Sequence, residues 1–408
     1  MITDFDELMA ILSQPRPNGS RGERETRLAL LTWLEKRGIP YHTHRFRQYP
    51  FFFECIGVWL ILSRTLLAVS VWLRGGWITT LIALMGLLGG VLDVLFNLPL
   101  VTWPGWRWGE NILIELHPPD PQREVVISAH YDSKTELLDH HQRMFFLKNL
   151  RLGIFLSLLL AALGPLDAWL LAQGASWATF TFWVGTILTL PLLFLAWGLG
   201  LNLSTGRLLA PSQGAVDNGA ACAILLGLAE RLCAGEIPGS LGSWNALQST
   251  QVTLALFTGE EINMQGSHAY VRSREWPLPA QVLNLEVMAQ DGDYVFWEQD
   301  GNSFHLSPTS PEINSAINEA LLRATGAPGR LVGPVNSDGA SFLSAGIPTG
   351  VLGTYDRHFV DTGFHRPTDC LSRVAKERLA RGVEILICFL INPGSDFEPG
   401  DAPKALNQ

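Results

Sequence analysis

Residues 125–132 read Val-Val-Ile-Ser-Ala-His-Tyr-Asp. Residues 125–129 form a short, continuous apolar run, which is typical of a β-strand buried on both faces of a sheet. His130 and Asp132 follow directly, and because side chains alternate along an extended chain, the two project to the same side. The imidazole can bind a metal ion while the carboxylate accepts the other ring N–H, which fixes the tautomer. Taken alone, such a pair more often makes ordinary hydrogen bonds in a loop.

Strands and helices alternate along much of the chain. The predicted strands are 41–46, 111–116, 125–129, 252–257, 282–287 and 347–353, and the predicted helices are 21–37, 217–233, 311–325 and 374–390. This alternation predicts an α/β fold with a mainly parallel mixed sheet and helices on both of its faces. Because binding sites in such sheets form at the carboxyl ends of the strands, we expect the polar residues that follow the strands to lie together.

The chain is more hydrophobic than an ordinary soluble enzyme, since 47% of its 408 residues are hydrophobic and 16% are charged. Charged residues are scarce in 55–101 and absent from 168–206. A helix needs about 20 apolar residues to cross a bilayer. We therefore predict four membrane spans, at 53–73, 77–97, 152–173 and 178–201.

Buried helical hairpins, or a lobe on the membrane surface, would give the same pattern. Arg64, Asp93 and Asp167 also weigh against spanning, because a charge inside lipid costs roughly 2.5–3.5 kcal/mol on insertion scales.

Two hydrophobic helical hairpins thus interrupt the α/β fold. The predicted domains are a catalytic domain of residues 1–50, 102–151 and 204–392, a first membrane hairpin of 51–101, a second of 152–203, and a flexible Pro/Gly-rich tail of 393–408. Each hairpin has an even number of spans, so the chain returns to the same side and the whole catalytic domain can lie on one face of the membrane.

Basic residues indicate which face this is. Those at the domain side of the spans are Arg45, Arg47, Arg107, Arg143, Lys148, Arg151 and Arg207, whereas the far turns carry only Arg74. Excess Lys and Arg mark the cytoplasmic side. The acidic N-terminus lacks the layout of a signal peptide, and five cysteines without a CxxC pair do not suggest a disulfide framework.

We therefore predict a multi-pass integral membrane protein with a cytoplasmic catalytic domain and membrane lipid as a partner. A net charge of −9 argues against nucleic acid as a partner. The sequence does not indicate an oligomeric state.

Asp217 lies in Gly214-Ala-Val-Asp-Asn-Gly219, at the start of a predicted helix. Asp and Asn are favoured helix N-caps. A carboxylate in this place could also bridge two cations through its two oxygens, and both roles are compatible.

Glu260 and Glu261 follow the predicted strand 252–257. Adjacent carboxylates beside a buried strand repel each other and lose hydration. A turn at the surface would relieve this conflict. A metal ion would also relieve it by binding one carboxylate, which leaves the other free to act as a general base towards water.

Two further candidates complete the set. Glu286 is the one acid in an apolar strand, and because an unpaired buried carboxylate is costly, it needs a metal ion, a buried arginine or a hydrogen-bond network. His365 follows the strand 347–353 and a loop, and it gains weight as the last member of an ordered set. Weaker candidates are Asp291, Asp293, His358 and Asp361.

The ordered set His-x-Asp, Asp, Glu-Glu, acid and His resembles family twenty-eight of the zinc metallopeptidases. That family includes bacterial leucyl-type aminopeptidases, glutamate carboxypeptidase and the mono-zinc glutaminyl cyclases. The resemblance covers nearly all of the chain outside the hairpins. It also includes 111–116, Gly266-Ser267, Ser337-Asp338 and Gly346-Ile347-Pro348. It implies a zinc aminopeptidase-like fold and a peptide substrate.

The resemblance also implies a role for each residue. Two zinc ions would be bound by His130, Asp217, Glu261, Glu286 and His365. Asp217 would bridge the ions, Glu260 would be the general base, and Asp132 would support His130. Glu286 stands where the family usually has Asp, which lengthens that arm by one methylene. Phe364 stands where some members carry a Tyr that donates to the oxyanion.

The expected function is that of a membrane-anchored, zinc-dependent aminopeptidase, a hydrolase of N-terminal peptide bonds with Glu260 as its general base. The alternatives are a non-catalytic peptidase-like scaffold of a membrane complex and a mono-zinc acyltransferase of the glutaminyl-cyclase kind. A carboxypeptidase is a third alternative within the hydrolases.

Overall fold

The computed structural model describes residues 3–96, 98–102, 105–235, 247–302 and 304–392. The chain divides into two units. Unit 1 comprises Met1–Pro50, Arg107–Lys134 and Pro211–Gln408, and unit 2 comprises Phe51–Trp106 and Thr135–Ala210. The predicted tail 393–408 lies outside the described residues. The predicted domain boundaries stay a prediction.

Unit 1 is built around a mixed sheet of eight strands. Along the chain the strands are β1 (His42–Gln48), β2 (Arg107–Leu116), β3 (Arg123–His130), β4 (Thr250–Phe257), β5 (Ala280–Glu286), β6 (Asp293–Trp297), β7 (Gln299–Asn302), β8 (His305–Pro308), β9 (Arg330–Val332) and β10 (Thr349–Tyr355). The order in the sheet is β1-β2-β4-β3-β5-β10-β6-β9, and β7 and β8 form a separate ribbon. The pairs β3–β4, β3–β5, β5–β10 and β6–β9 are parallel. The predicted fold class is confirmed.

The register of the central strands determines where the site lies. Ser128 in β3 is paired with Asn284 in β5, and His130 at the end of β3 is paired with Phe257 at the end of β4. Glu286 at the end of β5 is paired with Gly353 in β10. The carboxyl ends of β3, β4 and β5 therefore lie along one edge of the sheet.

Helices flank the strands in sequence. Those of unit 1 are α1 (Phe5–Leu12), α2 (Arg21–Lys36), α8 (Ala220–Ala234), α9 (Gln265–Ser273), α10 (Pro311–Thr325), α11 (Gly339–Ser344), α12 (Arg357–Thr362) and α13 (Lys376–Ile391), and those of unit 2 are α3 (Phe52–Trp72), α4 (Trp77–Phe96), α5 (His140–Lys148), α6 (Leu150–Ala172) and α7 (Trp177–Thr205). Local signals define the ends of several helices. The Ser310 side chain caps α10, Pro311 occupies its first position, and Gly326 ends it in the left-handed conformation.

Apolar side chains cover both faces of the sheet in unit 1. Val125 and Ile127 of β3 belong to one buried cluster, which also holds Leu225 of α8 and Leu386 of α13. Val126, which points the opposite way, belongs to a second cluster with Phe257, Tyr270 and Phe342. The prediction that β3 is buried on both faces is therefore confirmed.

Among the described residues, unit 2 contains four helical segments that are long and apolar enough to cross a membrane. They are Phe52–Trp72 (α3), Trp77–Phe96 (α4), His140–Ala172 (α5 with α6) and Trp177–Leu208 (α7 with the short turn after it). Large apolar side chains on these helices face outward, among them Trp72, Trp77, Leu88, Phe155, Trp177 and Phe194. Such a surface is unfavourable in water and suits the interior of a bilayer.

Polar contacts inside unit 2 accommodate its charged residues. Asp93 accepts hydrogen bonds from the N–H groups of Leu100, Val101 and Thr102 at 2.8, 3.1 and 2.9 Å. Asp167 accepts one from Thr181 at 2.7 Å and lies 3.8 Å from Arg74. Paired in this way, an acid is less costly in lipid than an isolated charge.

Candidate metal centre

The predicted site residues converge at the carboxyl edge of the sheet. His130 ends β3, Glu286 ends β5, and Glu260 and Glu261 form a short turn just after β4. Asp217 lies in the turn before α8, and His365 lies in the loop after α12. Five segments distant in sequence therefore meet at one place, as the sheet topology predicts.

Asp217 lies between two groups of potential metal ligands. In the first group, His130 Nε2 is 3.3 Å from Asp217 Oδ1 and 3.6 Å from Glu286 Oε2. In the second, His365 Nε2 is 3.0 Å from Asp217 Oδ2 and 3.2 Å from Glu261 Oε1. The ligand atoms in each group lie within 4.8 Å of one another, so each group could hold one metal ion and Asp217 could serve both.

The hydrogen bonding in the second group fits a cation. Asp217 Oδ2 and Glu261 Oε1 are buried and accept no aligned hydrogen bond, although both lie close to His365 Nε2. Buried oxygens without donors are costly. Their lone pairs and that of the imidazole converge, which is the arrangement of ligands around a divalent ion. We conclude that the residues present fit a metal ion.

Asp132 links the two groups from behind. Its Oδ1 lies 3.5 Å from His130 Nδ1, and its Oδ2 accepts a hydrogen bond from the N–H of Glu261 at 3.0 Å. The carboxylate is fully buried. Asp132 can therefore orient the imidazole of one group and the backbone that carries a carboxylate of the other.

Glu260 differs from its neighbour because its side chain is 10% exposed and its Oε2 lies 3.9 Å from His130 Nε2. Burial, together with the carboxylates of Glu261 and Glu286, raises the pKa of Glu260 well above its ordinary value. A cation in the site would act in the opposite direction. Glu260 is thus the most exposed carboxylate of the cluster, with Glu286 at 8%, and its surroundings raise its pKa.

Two of the three ionisable members of the first group, His130 and Asp217, have pKa values shifted in opposite directions. Burial opposes the charge of His130, but Glu260, Asp132 and other carboxylates outweigh it and raise its pKa. Burial would raise the pKa of Asp217, but the adjacent imidazoles of His130 and His365 outweigh it and lower that pKa.

The predicted helix start at Asp217 is wrong. Its φ and ψ are −110° and 91°, and the regular helix begins at Ala220 after a Gly219 N-cap. Asp217 is therefore not the N-cap of α8. The backbone at this residue directs its carboxylate towards His130 and His365. Asp369 stabilises the turn by accepting hydrogen bonds from the N–H groups of Val216 and Asp217 at 2.7 and 3.3 Å.

Other sequence alternatives can also be judged. Glu261 is buried, so the Glu pair is not a turn of surface charges. Glu286 contacts His130, Asn284 and Asn218, which combines a metal-ligand geometry with a hydrogen-bond network. The weaker candidates are not part of either group within the described residues. Asp291, Asp293 and His358 are exposed instead.

The sequence analysis did not identify Arg16, which is fully buried behind the site. Its guanidinium donates to the carbonyls of Tyr131, Gln213 and Gly214, with Gln213 at 2.6 Å and Gly214 at 2.7 Å. It therefore ties the His130-x-Asp132 segment to the loop before Asp217. No sequence pattern marks this role, because backbone carbonyls are present at every residue.

Two site residues have unusual backbones. His365 has φ +56° and Val287, which follows Glu286, has φ +50°. Residues other than glycine rarely adopt this conformation, and such strain clusters at functional sites. The ring of Phe364 lies against that of His365, with centroids 4.1 Å apart. It offers no hydroxyl donor where some relatives in the resembled family carry Tyr.

Residues 202–390 match Peptidase family M28. This part of the chain belongs to that family. The M28 segment contains Asp217, Glu260, Glu261, Glu286 and His365, and the His130-x-Asp132 motif precedes it. The family predicted from the ordered set is therefore confirmed. No curated protein matches the sequence.

Solved structures share the fold at low sequence identity. An aminopeptidase from Aneurinibacillus sp. strain AM-1 is 13% identical, with 100% of this chain and 97% of that chain covered and a TM-score of 0.53. A zinc aminopeptidase from Bacillus subtilis is 12% identical, with 99% and 98% covered and a TM-score of 0.53. A glutaminyl cyclase from Porphyromonas gingivalis is 12% identical, with 96% and 99% covered and a TM-score of 0.51.

These neighbours show the fold, at sequence identities of 12–13%. The chain is a zinc peptidase-like protein, and zinc is the metal that its family implies.

Proposed function

We propose that this protein is a membrane-anchored aminopeptidase with two zinc ions. The observation that carries the proposal is the pair of ligand groups that share Asp217. One ion would be held by His130, Asp217 and Glu286, and the other by Asp217, Glu261 and His365. Zinc in such a site polarises a carbonyl oxygen and makes water more acidic.

Glu260 is proposed as the general base. Its side chain is partly exposed, lies 3.9 Å from His130 Nε2 and belongs to neither ligand group, so it can take a proton from water and give it to the leaving amine. Asp132 does not reach solvent. Its proposed role is to hold His130 in one tautomer through Nδ1, as carboxylates behind metal-binding histidines do.

The charge of the cluster favours an amine over a carboxylate as the group recognised. The acids Asp132, Asp217, Glu260, Glu261 and Glu286 carry one more negative charge than two divalent ions neutralise. A protonated α-amine would be attracted to that excess, and a substrate carboxylate would be repelled. This supports an aminopeptidase over a carboxypeptidase.

The remaining alternatives are less well supported by the geometry. A non-catalytic scaffold would not need a convergent set of buried ligands, and each such group is costly without a cation. A mono-zinc acyltransferase would need one ligand group, whereas the described residues form two groups that could each hold an ion.

The four apolar helices support membrane anchoring. We propose that unit 1 faces the cytoplasm, since basic residues accumulate at the span ends that flank it and Arg74 alone lies in the far turns. The substrate would be a peptide with a free N-terminus.

Three peptides of one sequence test the proposal: one with a free N-terminus, one acetylated there, and one that begins with Gln. Full-length protein in detergent with zinc is expected to remove the first residue of the free peptide and to leave the acetylated one intact. Glu260→Gln should remove this activity. Loss of the C-terminal residue, or cyclisation of the Gln peptide without hydrolysis, would contradict the proposal.

A further inference from the structure

A chain of buried polar side chains lies behind Glu286. It runs through Asn284, Ser337 and Asp300, which are at most 1% exposed. The sequence analysis predicted none of them as site residues. Buried polar groups are retained where their hydrogen bonds are satisfied, so the direction of each bond indicates what the chain does.

Both polar atoms of the Asn284 side-chain amide form hydrogen bonds. Its Nδ2 donates to Glu286 Oε1 at 3.0 Å and to Ser337 Oγ at 3.1 Å. Its Oδ1 accepts from Ser128 Oγ at 2.7 Å. An amide has two N–H donors, and an ionised carboxylate can only accept. The orientation of the amide is therefore fixed, with a donor always directed at Glu286.

The Ser337 hydroxyl is fixed in the same way. It accepts hydrogen bonds from Asn284 and from the N–H of Gly339 at 3.2 Å. Its own hydrogen is left for Asp300 Oδ2, at 2.6 Å, when that acid is ionised. Asp300 Oδ1 accepts a hydrogen bond from the N–H of Ser337 at 2.9 Å, so both carboxyl oxygens of Asp300 form hydrogen bonds with Ser337.

Gly339 makes the arrangement possible. A Cβ at this position would lie 2.5 Å from Asp300 Oδ2, which no side chain could tolerate without displacing the acid. The backbone at Gly339 can therefore approach the carboxylate that anchors the chain.

The length of Glu286 explains why such an anchor is useful. Glu has one more rotatable bond than the Asp that is usual in the resembled family, so ordering its carboxylate costs more side-chain entropy. With Oε1 held by Asn284, Oε2 lies 3.6 Å from His130 Nε2. Asn218 adds a weaker contact, with its Nδ2 3.4 Å from Oε2.

We propose that Asn284, Ser337 and Asp300 are positioning residues that hold the Glu286 carboxylate where it can bind a divalent cation together with His130. This inference rests on the proposed two-zinc function. It assigns these three residues to the ion of the His130 group, because their hydrogen bonds lead to Glu286, which belongs to that group.

Zinc affinity of the full-length protein, measured by competition with a chromophoric chelator, tests the proposal. Residues behind metal ligands typically change affinity about 10- to 100-fold. We expect Asn284→Leu to lower the affinity for one of the two zinc ions by about tenfold or more and to leave the affinity for the other unchanged. Ser337→Ala should lower the affinity for the same ion by a smaller factor. It provides a second variant if Asn284→Leu does not fold.

Thr253→Val is the matched control. Thr253 is a buried hydroxyl that donates to the Glu124 carboxylate at 2.8 Å, as Ser337 donates to Asp300. A general loss of stability would affect this variant as well, but its zinc affinities should equal those of the wild type.

A double-mutant cycle tests the contact itself. Glu286→Asp shortens the arm that Asn284 holds, so adding Asn284→Leu to it should change zinc affinity by less than about twofold. If the wild type binds two ions, and Asn284→Leu and Ser337→Ala bind both ions as tightly as the wild type does, this inference is overturned and the proposed function stands. Wild-type protein that binds no zinc would overturn the proposed function and the inference with it.

Discussion

Asp217 Oδ2 lies 3.0 Å from His365 Nε2, yet this buried oxygen accepts no aligned hydrogen bond. This geometry fits a third partner between the two groups. A divalent cation there would satisfy both, because carboxylate oxygen and imidazole nitrogen are both zinc ligands. The same carboxylate reaches the first ligand group through its other oxygen.

Replacement of Asp217 is therefore expected to affect both ions. Asp217→Asn should lower zinc content from about two ions per chain to fewer than about one, because the shared ligand loses its charge. Elemental analysis of detergent-purified protein measures this. Asp291→Asn, an exposed acid outside both groups, is the control, and equal losses in the two variants would argue against the bridging role.

Replacement of Glu260 is expected to separate catalysis from metal binding. Glu260→Gln should lower kcat by about 10²- to 10⁴-fold, the usual contribution of a general base, while zinc content stays that of the wild type. Glu261→Gln, at the adjacent residue, should instead lose zinc. If Glu260→Gln lost zinc and kept its turnover per bound ion, the roles of the two residues would be reversed.

Replacement of Arg16 is expected to destabilise unit 1. Arg16→Met leaves the carbonyls of Tyr131, Gln213 and Gly214 without their donor, and unsatisfied buried groups cost about 1–3 kcal/mol each. The melting temperature in detergent should fall by roughly 5–12 °C. Arg21→Met removes an arginine whose side chain is 81% exposed and should change it by less than about 2 °C. Similar melting temperatures for the two variants would contradict the role of Arg16 in tying the His130-x-Asp132 segment to the loop before Asp217.

The pH dependence of stability should reveal the raised pKa of Asp300. Burial raises its pKa to about 8 from an ordinary value of 3.8. The native state therefore binds this proton more tightly than the unfolded chain, and stability falls as pH rises from about 4 to 8. Asp300→Asn cannot titrate, so the wild-type melting temperature should fall relative to that of the variant over this range. A difference that is constant with pH would contradict the shift.

The orientation in the membrane can be tested by labelling. In a chain whose native cysteines are replaced, Gln173→Cys in the turn between α6 and α7 should react with an impermeant maleimide added to intact cells. Asp120→Cys in unit 1 should react only after permeabilisation. Labelling of Asp120→Cys in intact cells would place unit 1 outside the cytoplasm.

Several parts of this account could be predicted from sequence because they depend on side-chain type and periodicity. The apolar runs 125–129 and 252–257 predicted buried strands, and the acids and histidines that follow them predicted where ligands meet. Helix α10 begins and ends at the predicted residues, 311 and 325, because its Ser-Pro start and Gly end are local signals.

Other parts depend on contacts that sequence does not display. The short strands β6 to β9 and the short helices α9, α11 and α12 have too few residues to show a period. Asn284 and Ser337 are 53 residues apart, so their hydrogen bond follows from the packing of β5 beside the loop before α11. Asp217 was misplaced in a helix because its neighbours resemble a cap, whereas Asp369, far along the chain, sets its conformation.

The most direct test of the two-ion centre is the zinc content of the purified wild-type protein beside Glu286→Ala. The shared Asp217 predicts two zinc ions per chain in the wild type and one in the variant, because the group with Glu261 and His365 stays complete. A single ion in both proteins, or none in the wild type purified without chelator, would contradict the account.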